Sequence, residues 1–499
     1  MGALFFDVSA RAPVACAAAA GAVTLVAFLA SANQITNSPN SPTVLQEGLV
    51  KGGVMNRRVF LSRTAAATAG LSLSFPARSR AQSPNETINV AIIGLRGDNK
   101  NHPTWTARGR GQDHYDHLSG IANVRITHVV DIDERHFTAS LSQVKAKFGG
   151  DPKTETDFRR VLDNRDVDVV TIAAPDHWHA LMTIWACQAG KDVYVEKPIS
   201  HNIIEGRRMI DAARRYNRVV QAGTQRRNGA VLAKAVRFLR DGGLGQLYAG
   251  KTVIYRARDP IGVAEDSPVP SGVNYDLWLG PAPARPFNEN HFHYHWHWFW
   301  EYGTSDLGNT AVHSLDAVRW LLGKKEHPRT AYCIGGLYEA GEPTDQVTPN
   351  TQYATYQYAD GTELHCELRN WFSGPREAQG LYVYGSKGWM RVGDDKAEVF
   401  LGRKSEPGPT LTADGPIEEG PAHFQNFIDC VRSRRVENLR APLEEGHLST
   451  TICHLGNISY RLGRSVKFDG ATERFVADGE ADKLLGRAYR ASYSLPTIT

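Results

Sequence analysis

The chain has 499 residues, 41% of them hydrophobic and 22% charged, with a formal net charge of +4. This is the composition of a soluble globular protein, too long for one ordinary domain and apolar enough for two cores. In residues 1–81 seven basic side chains stand against Asp7 and Glu47. The excess positive charge therefore belongs to that stretch, and it gives no reason to expect a nucleic-acid partner.

Within it, "NRRVFLSRTAAATAGLSLSFPARSRA" has twin arginines (Arg57, Arg58), then Phe60 and Leu61, a weakly apolar stretch and a small-x-small end at Ser79, Arg80 and Ala81. Residues 55–81 thus resemble a twin-arginine (Tat) signal peptide, which implies periplasmic export of an already folded protein. Met55 stands where such a signal would start, so residues 1–54 are read as a spurious or disordered extension. The competing reading, a membrane anchor at "PVACAAAAGAVTLVAFLASA", is weakened by its alanine content and by a length near the lower limit for spanning. After processing no stable membrane insertion is expected. The five later cysteines (Cys187, Cys333, Cys366, Cys430, Cys453) are odd in number and scattered, so buried free thiols are expected rather than a disulfide framework.

From residue 88 onward, "INVAIIG" and "VRITHVVDID" are β-branched runs with a helical stretch between them. "VDVVTIAAP", "KDVYVEKP" and "RVVQAGT" repeat the strand signal, separated by amphipathic segments. Alternation of this kind predicts an N-terminal Rossmann domain, a doubly wound parallel sheet, over residues 82–228. Such sheets bind dinucleotides at the carboxyl ends of their strands, where glycines let a pyrophosphate approach a helix start. Gly94, Arg96 and Gly97 form the candidate turn. An insertion ahead of Gly109 and Gly111 displaces the third glycine of the usual fingerprint and weakens it. Asp131, ending the second strand, can accept hydrogen bonds from both ribose hydroxyls and would repel a 2′-phosphate, so NAD is favoured over NADP.

Residues 229–499 read differently, with a helix at "GAVLAKAVRFLRDG" and strand-like runs at "LYAGKTVIYR", "TQYATYQYADGTELHCELR" and "QGLYVYGSKGWMRVG". The segments "HFQNFIDCVRSRR" and "GHLSTTICHLGNISYRLG" have helical periodicity and should pack back on the core. Together, "IGLRG", "PDHWHA", "VEKPIS", "GTQRRN", "YDLWLGPAPARPFN" and "DLGNTAVHSLDAVRWLLG" resemble the Gfo/Idh/MocA oxidoreductase family from about Ile88 to the end. The resemblance implies a C-terminal α/β domain with a large, mainly antiparallel open sheet for substrate and homo-oligomer contacts.

Oxidising a secondary alcohol needs a base for the hydroxyl proton and a positive group near the developing alkoxide. Lys197 can supply the charge. For the base, the family usually has an aspartate four residues before a histidine; here Asn309 precedes His313, with Asp316 at the next turn on the same predicted face. His313 is the candidate base, Asn309 a hydrogen-bonding partner, and Asp316 a candidate to raise the histidine's basicity. Pro175, His179, Glu196, Lys197 and Gln225 fall at strand ends and so in the cofactor crevice, with His179 near the nicotinamide ribose by resemblance. Arg226 follows as a substrate contact.

Residues 291–300, "HFHYHWHWFW", alternate four histidines with aromatic residues. On an extended chain those histidines would share one face, but no carboxylate or cysteine of suitable spacing accompanies them, and no metal is expected. Four histidines on one face of a core strand would need buried partners. Flat aromatic faces with imidazole and indole donors suit a polyhydroxylated ring, so His295, Trp296, His297 and Trp298 are read as a carbohydrate-binding wall. The leading reading is an exported enzyme with tightly held NAD that acts on a secondary hydroxyl of a sugar or glycoside. Its rivals are an NAD-dependent glycosidase working by oxidation, elimination and re-reduction, and a non-enzymatic periplasmic sugar-binding protein.

Overall fold

The computed structural model describes residues 86–95, 109–338, 341–371, 374–415 and 418–498. The Tat-like segment, the 1–54 extension and the loop of residues 96–108 lie outside the described residues.

Six strands form the first sheet: β1 (Ile88–Ile93), β2 (Val124–Val130), β3 (Lys153–Glu155), β4 (Val169–Ile172), β5 (Asp192–Val195) and β6 (Val220–Ala222). Their order is β3-β2-β1-β4-β5-β6, and every pairing is parallel. The helices between them are α1 (Arg110–Leu118), α2 (Phe137–Phe148), α3 (Phe158–Asp163), α4 (Asp176–Gln188) and α5 (Ile203–Arg215). β4 and β5 are buried at every position, which is why their sequences run apolar rather than alternating. α5 starts where Asn202 accepts the Glu205 N–H and Glu205 accepts the His201 N–H, a reciprocal cap that satisfies two helix-start donors.

After α6 (Ala230–Arg240), the chain enters a ten-stranded sheet: β7 (Leu247–Tyr255), β8 (Thr330–Gly336), β9 (Thr351–Gln357), β10 (Glu363–Arg369), β11 (Gly380–Gly385), β12 (Gly388–Val392), β13 (Lys396–Leu401), β14 (Glu406–Thr412), β15 (Val466–Asp469) and β16 (Arg474–Phe475). The order is β14-β13-β12-β11-β7-β10-β9-β8-β15-β16. β7 and β10 pair in parallel, and the other pairings are antiparallel. The strict alternation of burial in β10 and β11 marks a sheet with one covered face. Its cover is α6, α8 (Val312–Leu321) and α10 (Leu443–Leu462), whose Leu232, Val318 and Ile452 share a core with Tyr356, Leu364 and Leu368. The opposite face leaves Tyr248, Tyr332, Ile334 and Tyr353 exposed.

The late helices do pack back, α10 on the ten-stranded sheet and the helix before it on the first domain. Phe424, Phe427 and Ile428 of α9 (Glu419–Ser433) join Ile88 and Val90 in one core, so a segment from beyond the second sheet completes the first domain. The terminal segment follows suit. Tyr493 stacks on Trp185, and Leu495 and Ile498 pack against the Rossmann core. All five described cysteines are buried free thiols. No described helix is long and apolar enough to cross a membrane.

The histidine-aromatic decapeptide is not extended. It forms parts of two short 3-10 turns, Glu289–His291 and His295–Trp298, with His293 between them at φ +56°. The alternate-position logic of a strand therefore does not apply, and its side chains point in several directions.

Candidate functional site

A cavity of about 670 Å³ opens at the carboxyl ends of the parallel strands, where this topology places dinucleotides. Gly94 ends β1 at φ +88°, and a Cβ there would lie 2.7 Å from the Ala173 carbonyl oxygen, so only glycine fits this turn. Gly111, early in α1, sits against it: a Cβ would come 2.0 Å from the Gly94 carbonyl oxygen. Gly111 thus holds the close-packing place that the fingerprint needs. Arg96 and Gly97 fall outside the described residues.

Asp131 lines the cavity and also braces the turn. Its Oδ2 accepts the Leu95 N–H at 2.7 Å and its Oδ1 the Asp133 N–H at 2.9 Å. Burial alone would raise its pKa, but the hydrogen bond and charge of His136 outweigh that and hold it below the ordinary value. A carboxylate oxygen accepts more than one hydrogen bond, so Asp131 can still receive ribose hydroxyls. The glycine cradle and this carboxylate fit a dinucleotide. The second domain clasps the segment just after Asp131: Glu134 N–H bonds to Gly272 O at 2.9 Å and Asn274 N–H to Ile132 O at 2.8 Å. His293 Nε2 meets Asp133 Oδ2 at 2.9 Å, beside a two-pronged Arg135–Asp133 pair that occupies both carboxylate oxygens.

Pro175, His179, Glu196 and Lys197 line the same cavity, and from the second domain come Asn309 and His313. Lys197 Nζ donates to the Asn309 carbonyl at 2.7 Å and lies 3.4 Å from Asn309 Oδ1. Burial and the nearby Arg110 lower its pKa to about 8 against the opposing pull of Glu196, Asp176 and Asp306. Burial, Lys197 and Arg110 push His313 well below its ordinary value, so the imidazole is neutral and keeps one ring nitrogen able to accept a proton. The predicted helix is offset by one irregular turn: Leu307–Ala311 is π-helical and α8 follows. π turns recur at functional sites.

Several sequence-based assignments are corrected. Asp316 is not near His313's ring; it is fully buried and takes a two-pronged ion pair from Arg227 at 2.8 and 2.7 Å, with Ser449 donating at 2.6 Å. Both nitrogens of His179 face carbonyls, Pro198 O and Ala174 O, each at 2.7 Å, so the ring ties the start of α4 to the Lys197–Pro198 segment instead of offering a nitrogen to ribose. Gln225 does not line the cavity; it donates to Glu196 Oε1 at 3.2 Å and Tyr194 Oη at 2.9 Å. Glu196 in turn holds His114 at 3.2 Å. Arg226 also lies outside the lining, with Asp394 Oδ1 at 3.2 Å and Ser314 Oγ at 3.4 Å. Of the four aromatic-wall candidates, only Trp296 lines the cavity. His295 is buried with its ring 5.1 Å from that of Trp298. His297 Nδ1 bonds to Tyr294 O, and Trp298 Nε1 donates to Asp306; each of these serves the core.

Other lining residues were not singled out from sequence: Arg110, Arg256, Tyr294, Thr310 and, as more than an occupant of the crevice, Asp176. Asp176 is 1% exposed and accepts a hydrogen bond from Thr304 Oγ at 2.7 Å. Burial raises its pKa to about 7, with Thr304 and Lys197 pulling the other way. Arg110 carried a legible signal, since it opens the helix after a glycine; the others did not.

Residues 88–224 match the family described as the Gfo/Idh/MocA oxidoreductase family's NAD-binding Rossmann fold, and residues 261–495 match its C-terminal alpha/beta domain. Levoglucosan dehydrogenase from Pseudarthrobacter phenanthrenivorans is 26% identical over 37% of this chain and 40% of its own length. An alpha-N-acetylgalactosaminidase from Shewanella oneidensis is 27% identical over 40% of this chain and 45% of its own. The match thus spans less than half the length of either curated relative. The crystal structure of an aldose-aldose oxidoreductase from Caulobacter crescentus superposes with a TM-score of 0.57 and 19% identity, covering 77% of this chain and all of that one.

Proposed function

Since the chain belongs to the Gfo/Idh/MocA oxidoreductase family, we propose that it oxidises a secondary hydroxyl of a sugar or glycoside with a tightly held NAD. The observation that carries this reading is the meeting, in one cavity, of Lys197 from the end of the parallel sheet with Asn309 and His313 from the second domain. When bound, NAD supplies the hydride acceptor. His313, neutral through burial, takes the hydroxyl proton, and the Lys197 ammonium stabilises the developing alkoxide. Trp296, with Tyr294 beside it, offers the flat face a sugar ring packs against. The name of the Pseudarthrobacter relative supports a sugar substrate, and the reading as a non-enzymatic binding module finds no support among these relatives.

The clasp of residues 272–274 and His293 on the segment after Asp131 ties the second domain to the side of the cavity where Asp131 would hold the ribose, which supports retention of the cofactor. Retention suits the Tat-like signal: an exported enzyme that released its NADH each cycle would be stranded where free nicotinamide nucleotide is scarce. The chemistry would then be redox-neutral over a cycle, either by passing the hydride to a second carbonyl or by hydrolysing a glycoside through oxidation, elimination and re-reduction. The second route is favoured by the likeness to the Shewanella enzyme. The open sheet face with Tyr332, Ile334 and Tyr353 would pair with another copy.

Protein purified without added cofactor, then denatured, should release near-stoichiometric NAD, as expected for binding of nanomolar strength, about −12 kcal/mol. The same preparation, incubated with a panel of sugars and aryl glycosides, should show a change in nicotinamide absorbance or release of the aglycone. An empty protein that needs millimolar NAD would defeat the captive-cofactor reading, and inertness across the panel would defeat the carbohydrate one.

A further inference from the structure

Asp306 has no solvent exposure, yet its carboxylate gathers donors from five residues. Oδ1 accepts Thr310 Oγ at 3.0 Å, Arg258 Nη2 at 3.2 Å and Asn309 Nδ2 at 3.3 Å. Oδ2 accepts Trp298 Nε1 at 3.2 Å and the Asn370 amide. Burying a charge is costly unless it is paired and hydrogen-bonded. Two of these donors, Asn309 and Thr310, line the reaction cavity, so the carboxylate is part of the floor beneath it. An amide that donates through Nδ2 to Asp306 turns Oδ1 the other way, and Oδ1 faces Lys197 Nζ at 3.4 Å.

We propose that Asp306 is a positioning residue of this site: its buried carboxylate fixes the Asn309 amide that faces Lys197 and supplies, from three residues back, the negative charge that position 309 lacks. The charged groups around the lysine are Arg110 from α1, Glu196 ending β5, Asp176 opening α4 and Asp306 ahead of the π turn. Asp306 itself faces Arg258 and His297. Burial and Arg110 work against the ammonium form that alkoxide stabilisation requires, while the three carboxylates support it. The sequence departs from the family pattern at Asn309, and Asp306 restores the lost charge without placing a second proton acceptor against the substrate.

The role rests on the oxidoreductase reading, so its test includes a readout that needs no substrate. In the full chain as purified, the pH dependence of acetylation of Lys197 by acetic anhydride, followed by peptide mass spectrometry, gives the midpoint of its deprotonation. Asp306→Asn removes the charge with little change of shape. The midpoint should fall by about one pH unit, the size of effect a unit charge has at short range in a partly polar interior. The alkaline limb of the kcat profile should move the same way, kcat should fall at least about tenfold, and the NAD released on denaturation should change less than about twofold. A merely structural Asp306 would lower Tm without moving the Lys197 midpoint. If the single variant fails to fold because Arg258 loses its counter-charge, Asp306→Asn/Arg258→Gln is compared with Arg258→Gln alone, so that the loss of the carboxylate is read with the arginine absent from both. A midpoint unchanged to within about 0.2 units overturns the proposal. A shifted midpoint in a chain that turns over no sugar upholds it and defeats the oxidoreductase reading instead.

Discussion

Neighbouring residues in the decapeptide have opposite fates, and that separates two substitutions which the sequence treats alike. Trp296 is partly exposed and lines the cavity, so Trp296→Ala should weaken sugar binding by about 1–3 kcal/mol and leave Tm nearly unchanged. Trp298 is 1% exposed and packs among Phe292, Phe299 and Tyr302. Trp298→Ala should cost about 3–5 kcal/mol of stability, and its effect on binding should follow the loss of fold. Isothermal titration with a responsive sugar, beside thermal denaturation, distinguishes the two; a stable Trp298→Ala protein with selectively lost binding would restore the broader carbohydrate wall. Under the proposed mechanism Lys197→Ala should lower kcat by on the order of 10² to 10³ while NAD stays bound, because the ammonium's proposed role is at the alkoxide and not at the cofactor. Retention of more than about a third of the activity would remove Lys197 from the chemistry.

At the scale of elements, the fold is pinned where α8, α10 and the segment after β6 meet. Arg227 and Arg319 are buried between Asp316 and Glu445, and each carboxylate has its cations in place. Removing one partner leaves the others buried and unpaired, so Asp316→Ala should destabilise the protein by about 3–5 kcal/mol with no specific effect on the pH profile of catalysis. Acid should act on the same network. Burial would raise the pKa of Glu445, but the charges of Arg319 and Arg227 outweigh it and bring it from the usual 4.5 to about 2. A folded-state value below the unfolded one means the stabilisation is complete above 4.5 and is lost as pH falls toward 2. Thermal melts across that interval should show a decline that Glu445→Gln flattens; an unchanged slope in Glu445→Gln would assign acid sensitivity to other carboxylates.

At the scale of the whole molecule, the ten-stranded sheet has one face under helices and one face open. Ile334 on β8 is 51% exposed and Tyr353 on β9 is 42% exposed, and Ile334 pairs with Tyr353 across the two strands, so the apolar positions adjoin. A contiguous apolar area on an open sheet marks an association surface. Ile334→Asp should lower the mass measured by light scattering on a sizing column to that of a smaller assembly, with the fold intact by circular dichroism. A protein already monomeric at micromolar concentration would show that this face is left to solvent.

The period and order of the apolar runs were enough to establish the two-domain α/β architecture, because strand and helix periodicities are local properties of sequence. β1, β2, β4 and β5 were visible as β-branched runs, and the glycine turn, Asp131 and Lys197 followed from where strand ends must place them, whereas Asn309 and His313 came from the family resemblance. β8 and β13–β16 went unnoticed: β8 ends in two glycines, β14 holds Pro407, Gly408 and Pro409, and β16 has two residues. What tertiary structure alone decided is which polar residues face the cavity and which face each other. Gly111 could not be known as the missing fingerprint glycine from its displaced position in the sequence, because only the fold sets it against Gly94. Asp316 keeps helical spacing with His313 within α8, yet the arrival of Arg227 from a distant segment turns it into a structural anchor. The decapeptide's alternation suggested a strand face, and two 3-10 turns with a left-handed His293 dispersed it. Sequence spacing fixes neighbours along an element, whereas the partner of a buried charge is chosen by residues tens or hundreds of positions away.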